Sequence, residues 1–299
     1  MNKQTARKVW MIGGLVAALL VGCTPQNQEE RKISHTSPVQ AAQIPGDLTY
    51  QDVLQTGEQI HFAYVSPQDL RILLGTHAGI YGSAKDGLWS AYSPEMAKSD
   101  ITGIYVEPSN PHWIYVAGNQ VSKLTHDGGN TWKNVSTGLP TPLDIRSIAG
   151  FSTGQGVNLF AYVENEGIYK SSDSGEHWKK WLAVNTEVIA MDYDKNSNRL
   201  YILTQEGLFF EENGHLNQEG TPVARQMYSF SIDRDNNRIY LATDQGVMMK
   251  SDGKWESLGK QLPEQVILLA SGSIGHQMIA VGESASLYLL QDNQWEKWE

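Results

Sequence analysis

The sequence predicts an all-β fold, a six-bladed β-propeller of four-stranded antiparallel blades, and three observations carry that expectation. Past residue 60 the chain repeats itself about every 40 residues. Each repeat holds several short β-rich runs bounded by turn residues, and no repeat contains a stretch of helical period. Units of this kind hide their apolar faces only by stacking on neighbours, which closes them into a ring. Six units, ahead of seven, fit the residues available, and without helical segments an interleaved α/β sheet is not expected.

The units align on three landmarks. Second strands begin at Arg71, Trp113, Asn158, Arg199, Arg238 and Gln277. A short step follows each: Gly79-Ile80-Tyr81, Gln120-Val121-Ser122, Gly167-Ile168-Tyr169, Gly207-Leu208-Phe209, Gly246-Val247-Met248 and Ser286-Leu287-Tyr288. A closing position reads Trp89, Trp132, Trp178, Leu216, Trp255 and Trp295, at spacings of 43, 46, 38, 39 and 40 residues. In the fifth unit the four strands are expected at Tyr228–Ile232, Arg238–Ala242, Gly246–Lys250 and Trp255–Leu258. Asp233, Asn236 and Asn237 there supply the φ-tolerant residues of a turn. A ring must close or leave bare edges. Leu48–Val53 is the segment expected to join the last blade beside Trp295–Trp298.

Two of the closing turns carry a longer signature, with Thr125, Asp127, Gly129 and Trp132 in one and Ser171, Asp173, Gly175 and Trp178 in the other. A tight hairpin between the outer strands needs Gly for positive φ and Asp or Ser to satisfy turn amides, and the Trp is then free to fill a seam between blades. These turns resemble the Asp-box, or bacterial neuraminidase repeat, over roughly residues 46–299. That repeat occurs in sialidases, sortilin-type receptor domains, some xyloglucanases, propellers similar to the photosystem II assembly factor, and bacterial lipoproteins labelled glycosyl-hydrolase-like. The resemblance implies the fold and a structural role for Asp127 and Asp173, away from any active centre.

The N-terminus reads as an export signal: basic residues Lys3, Arg7 and Lys8, then an apolar run from Val9, too short to span a bilayer as a helix. It ends in Leu20-Val21-Gly22-Cys23, and Cys23 is the one cysteine of the chain. This sequence resembles the lipobox of bacterial lipoproteins, which implies cleavage after residue 22 and acylation of Cys23. Several acyl chains would hold the protein stably on a membrane. Residues 1–22 are thus expected to be a signal peptide, 23–45 a polar spacer unable to bury a core, and 46–299 the propeller. The expected location is extracytoplasmic, on the cell membrane or on an outer membrane if one exists. No intrachain disulfide is possible.

The formal charge is −10, and −13 without residues 1–22 (20 Lys and Arg against 33 Asp and Glu). That balance excludes nucleic acid as an expected partner and favours cations, amines and basic protein patches. The sialidases of the resemblance need three arginines on a carboxylate and an Arg-Ile-Pro motif. Here Arg71, Arg199 and Arg238 share a rim slot and the motif is missing, so sialidase activity is not expected. Nor do a nucleophile elbow, a phosphate loop or clustered cysteines occur. The turns joining second and third strands gather at one mouth of the channel, and carry His77, Asn119, Glu164, Glu166, Glu206, Asp244 and Glu283. This polar and mainly acidic ring is the expected binding face. No cofactor is expected. His61 and His77 are the candidates for a divalent metal, with Glu283 or Glu164 as third ligand. The leading expectation is a monomeric, non-catalytic module for a protein or carbohydrate partner. A glycoside hydrolase-like enzyme using mouth carboxylates, and a metal or small-ligand binder, are the alternatives.

Overall fold

A computed structural model describes residues 46–298, apart from 67–70, 85–86, 259–261, 272–277 and 292–293. Residues 1–22, the spacer, Cys23, Gln277 and the tip of the sixth closing turn therefore lie outside the described residues.

Six antiparallel sheets of four strands follow one another along the chain. The first contains β1 (Ile60–Val65), β2 (Ile72–Thr76), β3 (Gly79–Ser83) and β4 (Trp89–Ala91), and the second β5 (Ile101–Val106), β6 (Ile114–Gly118), β7 (Val121–Thr125) and β8 (Lys133–Asn134). The third contains β9 (Ile145–Thr153), β10 (Gly156–Val163), β11 (Gly167–Ser171) and β12 (Lys179–Leu182), and the fourth β13 (Val188–Asp194), β14 (Arg199–Thr204), β15 (Gly207–Glu212) and β16 (His215–Glu219). The fifth contains β17 (Met227–Asp233), β18 (Arg238–Thr243), β19 (Gly246–Ser251) and β20 (Lys254–Ser257), and the sixth β21 (Val266–Ser271), β22 (Met278–Gly282), β23 (Leu287–Gln291) and β24 (Gln294–Lys297). The first strands β1, β5, β9, β13, β17 and β21 neighbour one another in sequence order, and β21 returns to β1. This is a six-bladed β-propeller.

Burial explains the strand composition. β2, β6 and β22 are buried along their whole length, because a neighbouring blade covers each face of them. They are accordingly continuous apolar runs with no polar alternation. The closing tryptophans bind their blades to the one before. Trp178 of the third blade packs beside Tyr115 of the second, and its Nε1–H donates to the Val135 carbonyl at 2.9 Å. Trp132 donates to Ser93 Oγ at 3.0 Å in the connection between the first two blades, and Trp255 donates to the Gly220 carbonyl behind the fourth.

The start of the domain departs from the expectation. The segment around Leu48–Val53 adds no strand to the last blade. Tyr50–Gly57 instead forms a helix, α1, with Thr49 and Asp52 as a capping box: Thr49 Oγ1 accepts from the Asp52 amide at 3.2 Å, and Asp52 accepts from the Thr49 amide at 2.8 Å. That box satisfies two amides which a strand would have needed to pair elsewhere. Tyr50 and Val53 then pack on a cluster drawn from both the first and last blades, including Ile72, Leu74, Ile279 and Leu287. Leu48 bridges to Trp89, and the Tyr50 hydroxyl donates to the Ala285 carbonyl. Every blade is thus built from one contiguous stretch of chain, and a helix clasps the seam. Among the described residues no helix is long and apolar enough to cross a membrane.

Candidate functional site

Each innermost strand carries a β-bulge at its second residue, where two residues oppose one on the second strand. The pairs Ile60–Thr76 and Phe62–Gly75, for example, leave His61 between them. The same register shift leaves Thr102, Arg146, Ile189, Tyr228 and Ile267 in the equivalent slots. Bulges re-aim a side chain and strengthen local twist. Here they put one residue per blade beside the turn that joins second and third strands. One half of that circle is polar (His61, Thr102, Arg146) and the other is apolar or aromatic (Ile189, Tyr228, Ile267).

The turns expected to form the binding face are tied to the residue just ahead of the first strand of their own blade. Asn119 N–H donates to the Asp100 carbonyl at 3.2 Å, Glu164 to Asp144 at 2.9 Å, Asp244 to Gln226 at 3.1 Å and Glu283 to Gln265 at 2.8 Å. His77 and Glu206 occupy the corresponding turns of the first and fourth blades. Some of these carboxylates have cationic partners. Arg146 reaches Glu164 Oε2 through Nε (2.9 Å) and Nη2 (2.7 Å), and Asp144 Oδ2 through Nη2 (2.9 Å). Lys180 lies 3.5 Å from Glu166. Hydrogen bonds from Arg146 push the Glu164 carboxyl below its ordinary range, whereas burial, then Glu164 itself, pushes Asp144 up.

The opposite half keeps its negative charge. A groove of about 560 Å³ between the fifth and sixth blades is walled by Val247, Leu258, Leu262 and Trp295 and edged by Asp244, Glu264 and Glu283. Among the described residues no lysine or arginine pairs with these three carboxylates. Burial works to raise Glu264, but bonds from Ser284 N (2.7 Å), Ser284 Oγ (2.6 Å) and Tyr288 OH (2.7 Å) outweigh it, and its carboxyl is held below the ordinary range.

In the first blade the structure brings His61 and His77 together. His61 Nε2 and His77 Nδ1 are 3.3 Å apart. The nearby carboxylate is neither Glu283 nor Glu164 but Asp100, which lies just ahead of β5 and places Oδ1 3.2 Å from each nitrogen. Burial pushes the His61 imidazolium's pKa down, with Asp100 opposing and His77 and Arg146 assisting.

Asp127 and Asp173 stand at the other end of the strands, in the turns between β7 and β8 and between β11 and β12. Asp127 Oδ1 accepts from Thr125 Oγ1 (2.7 Å) and the Thr131 amide (2.9 Å), and Oδ2 from Thr131 Oγ1 (2.7 Å). These bonds, that from the Thr131 hydroxyl foremost, hold its pKa at about 2. Asp173 repeats the pattern with Ser171 (2.8 Å) and the His177 amide (2.9 Å). Gly129 and Gly175 take φ of 97° and 91°, which a side chain would strain, so Trp132 and Trp178 can turn back into the seams.

No protein-family model matches this sequence, and neither does any curated protein. Solved structures do resemble it. The extracellular domain of a one component system from B. thetaiotaomicron superposes with a TM-score of 0.57 at 15% identity, over 84% of this chain and 34% of that one. An ancestral GH74 enzyme gives 0.56 at 16%, over 85% and 38%. A chain from a nidogen/laminin complex gives 0.63 at 10%, over 77% and 93%. The likeness is one of fold. The chain spans little more than a third of the sensor and enzyme chains it matches.

Proposed function

We propose that this chain is a non-catalytic binding module, tethered outside the cytoplasm through an acylated Cys23, that receives a basic segment of a protein partner at its mouth. The observation that carries the reading is the groove between the fifth and sixth blades. Its apolar wall offers area to bury, and Asp244 and Glu283 at its rim offer charge for a lysine or arginine. A ring of packed blades holds those groups in place, so little ordering entropy is lost on docking. That extracellular sensor domains share the fold supports the location as analogy.

Two experiments test it. Lysine-rich peptides titrated against the full chain in detergent should bind in a salt-sensitive manner, and Glu283→Lys should weaken that binding by about tenfold or more. Equal binding by the variant would refute the groove as the site. Cys23→Ser should move the protein from the membrane to the soluble fraction, and continued membrane retention would refute the tether.

One observation favours a second reading, a glycoside hydrolase-like enzyme. Asp144 and Glu164 stand together at the mouth and share Arg146, which supplies the pair of carboxylates that this reading needs. Turnover of a polysaccharide by the wild type that Asp144→Asn and Glu164→Gln both abolish would establish it. Full turnover in both variants, or none in the wild type, would dismiss it.

A further inference from the structure

We infer that His61, His77 and Asp100 form a binding site for one divalent transition-metal ion, zinc foremost, bridging the first and second blades. Three donor atoms, His61 Nε2, His77 Nδ1 and Asp100 Oδ1, stand at the corners of a nearly equilateral triangle with sides of 3.3, 3.2 and 3.2 Å. An ion placed about 2.1 Å from each, the usual zinc–nitrogen and zinc–oxygen length, would see them at mutual angles of about 100°. That is close to tetrahedral, and the fourth position stays open.

Protons satisfy the same triangle poorly. Asp100 Oδ1 is buried and accepts no hydrogen bond of acceptable geometry, although both imidazoles stand 3.2 Å away. Each neutral imidazole carries a single N–H, so protons can fill at most two of the triangle's three edges. The same neutral imidazole offers its lone pair to a cation, and two such nitrogens with one carboxylate suit zinc better than magnesium or calcium.

The donors are also held before any ion arrives. His61 occupies the bulge of β1. His77 is in the tight turn after β2, where Thr76 Oγ1 accepts from the Ala78 amide at 3.1 Å and donates to the Gly79 carbonyl at 3.0 Å. Asp100 is clamped from behind: its carbonyl accepts from Asn119, and a Cβ on Gly118 would come within 1.9 Å of that oxygen. The two rings meet edge to face, with centroids 4.3 Å apart. The His77 side chain is 43% exposed, which leaves a route for the ion and for a water or partner group in the open position.

The test uses the full chain in detergent, stripped with chelator and titrated calorimetrically with zinc. One equivalent should bind and raise the melting temperature. His77→Ala, a change at an exposed turn that leaves the core alone, and Asp100→Asn should each lower the affinity at least about 100-fold and abolish the thermal shift. Cobalt in the same site should show the intense visible absorption of tetrahedral coordination, and should lose it in both variants. No saturable uptake, or one equivalent retained at unchanged affinity in both variants, would overturn the inference. The site lies outside the groove of the fifth and sixth blades, so Glu283→Lys should leave zinc binding unchanged, and either proposal can fail without the other.

Discussion

Trp178 is the most direct test of how the blades are held together. Its ring is 3% exposed, it faces Tyr115 with centroids 5.7 Å apart, and its indole N–H meets the Val135 carbonyl at 2.9 Å. Trp178→Ala deletes the ring from a closed seam, and such truncations cost about 3–5 kcal/mol. For a domain of this size each kcal/mol lowers Tm by about 2–4 °C, so the variant should melt about 6–20 °C early. Trp178→Phe should be milder. The Val135 carbonyl keeps its bond from Ser122 Oγ at 2.8 Å, so no acceptor is orphaned. The loss is then one neutral hydrogen bond, about 1 kcal/mol, together with the smaller ring area. Thermal unfolding followed by circular dichroism, with the exposed Trp298→Ala as control, orders the three. If Trp178→Ala were as mild as Trp298→Ala, the closing tryptophans would not be what joins the blades.

Two further perturbations follow from the same packing. Val53 of α1 is fully buried between the first and last blades. Val53→Ala removes two carbons, at about 0.8 kcal/mol each plus a cavity term. Hydrogen exchange should show protection falling in β1–β4 and β21–β24 before the central blades; a uniform loss would contradict the clasp. Glu107 is buried and accepts from Ser109 Oγ (2.7 Å), the Ser109 amide (3.1 Å), Tyr105 OH (3.2 Å) and Ser152. Burial alone would raise its pKa, yet these bonds hold it below the ordinary value of 4.5. Its contribution is therefore complete above about pH 4.5 and is lost as pH falls through the lower folded value. Urea unfolding at stepped pH should show a shallower acid decline in Glu107→Gln, and parallel curves would refute the role.

Blade number and strand order were legible because every blade is a contiguous piece of chain. Each β-rich run and its closing Trp therefore recur in the sequence in the order in which they stack. The helix was not. Leu48–Val53 carries Tyr and Val, which suit a strand, and the deciding signal was the smaller Thr49–Asp52 capping box. The turns of the mouth could be counted off the repeat, but their charge balance could not. Arg146 reaches Glu164 only because a bulge, invisible without strand pairing, places it there. Asp100 was hidden for a related reason. It belongs to the approach to the second blade and meets His61 and His77 across a seam that exists only once the first two blades have packed.

The clasp also bears on how the molecule comes to be made. Tyr50 and Ala285 are separated by 235 positions, so the helix is made before any blade and its berth is complete only once the sixth blade exists. Until then Tyr50 and Val53 are covered on the first-blade side alone. The entropy of joining ends this far apart grows only logarithmically with length, yet contacts so remote are slow to form. A polypeptide cut before β21 would lack the sixth blade and leave the helix with only the first-blade half of its berth. Sealing the ring thus doubles as proof that the sixth blade has been made.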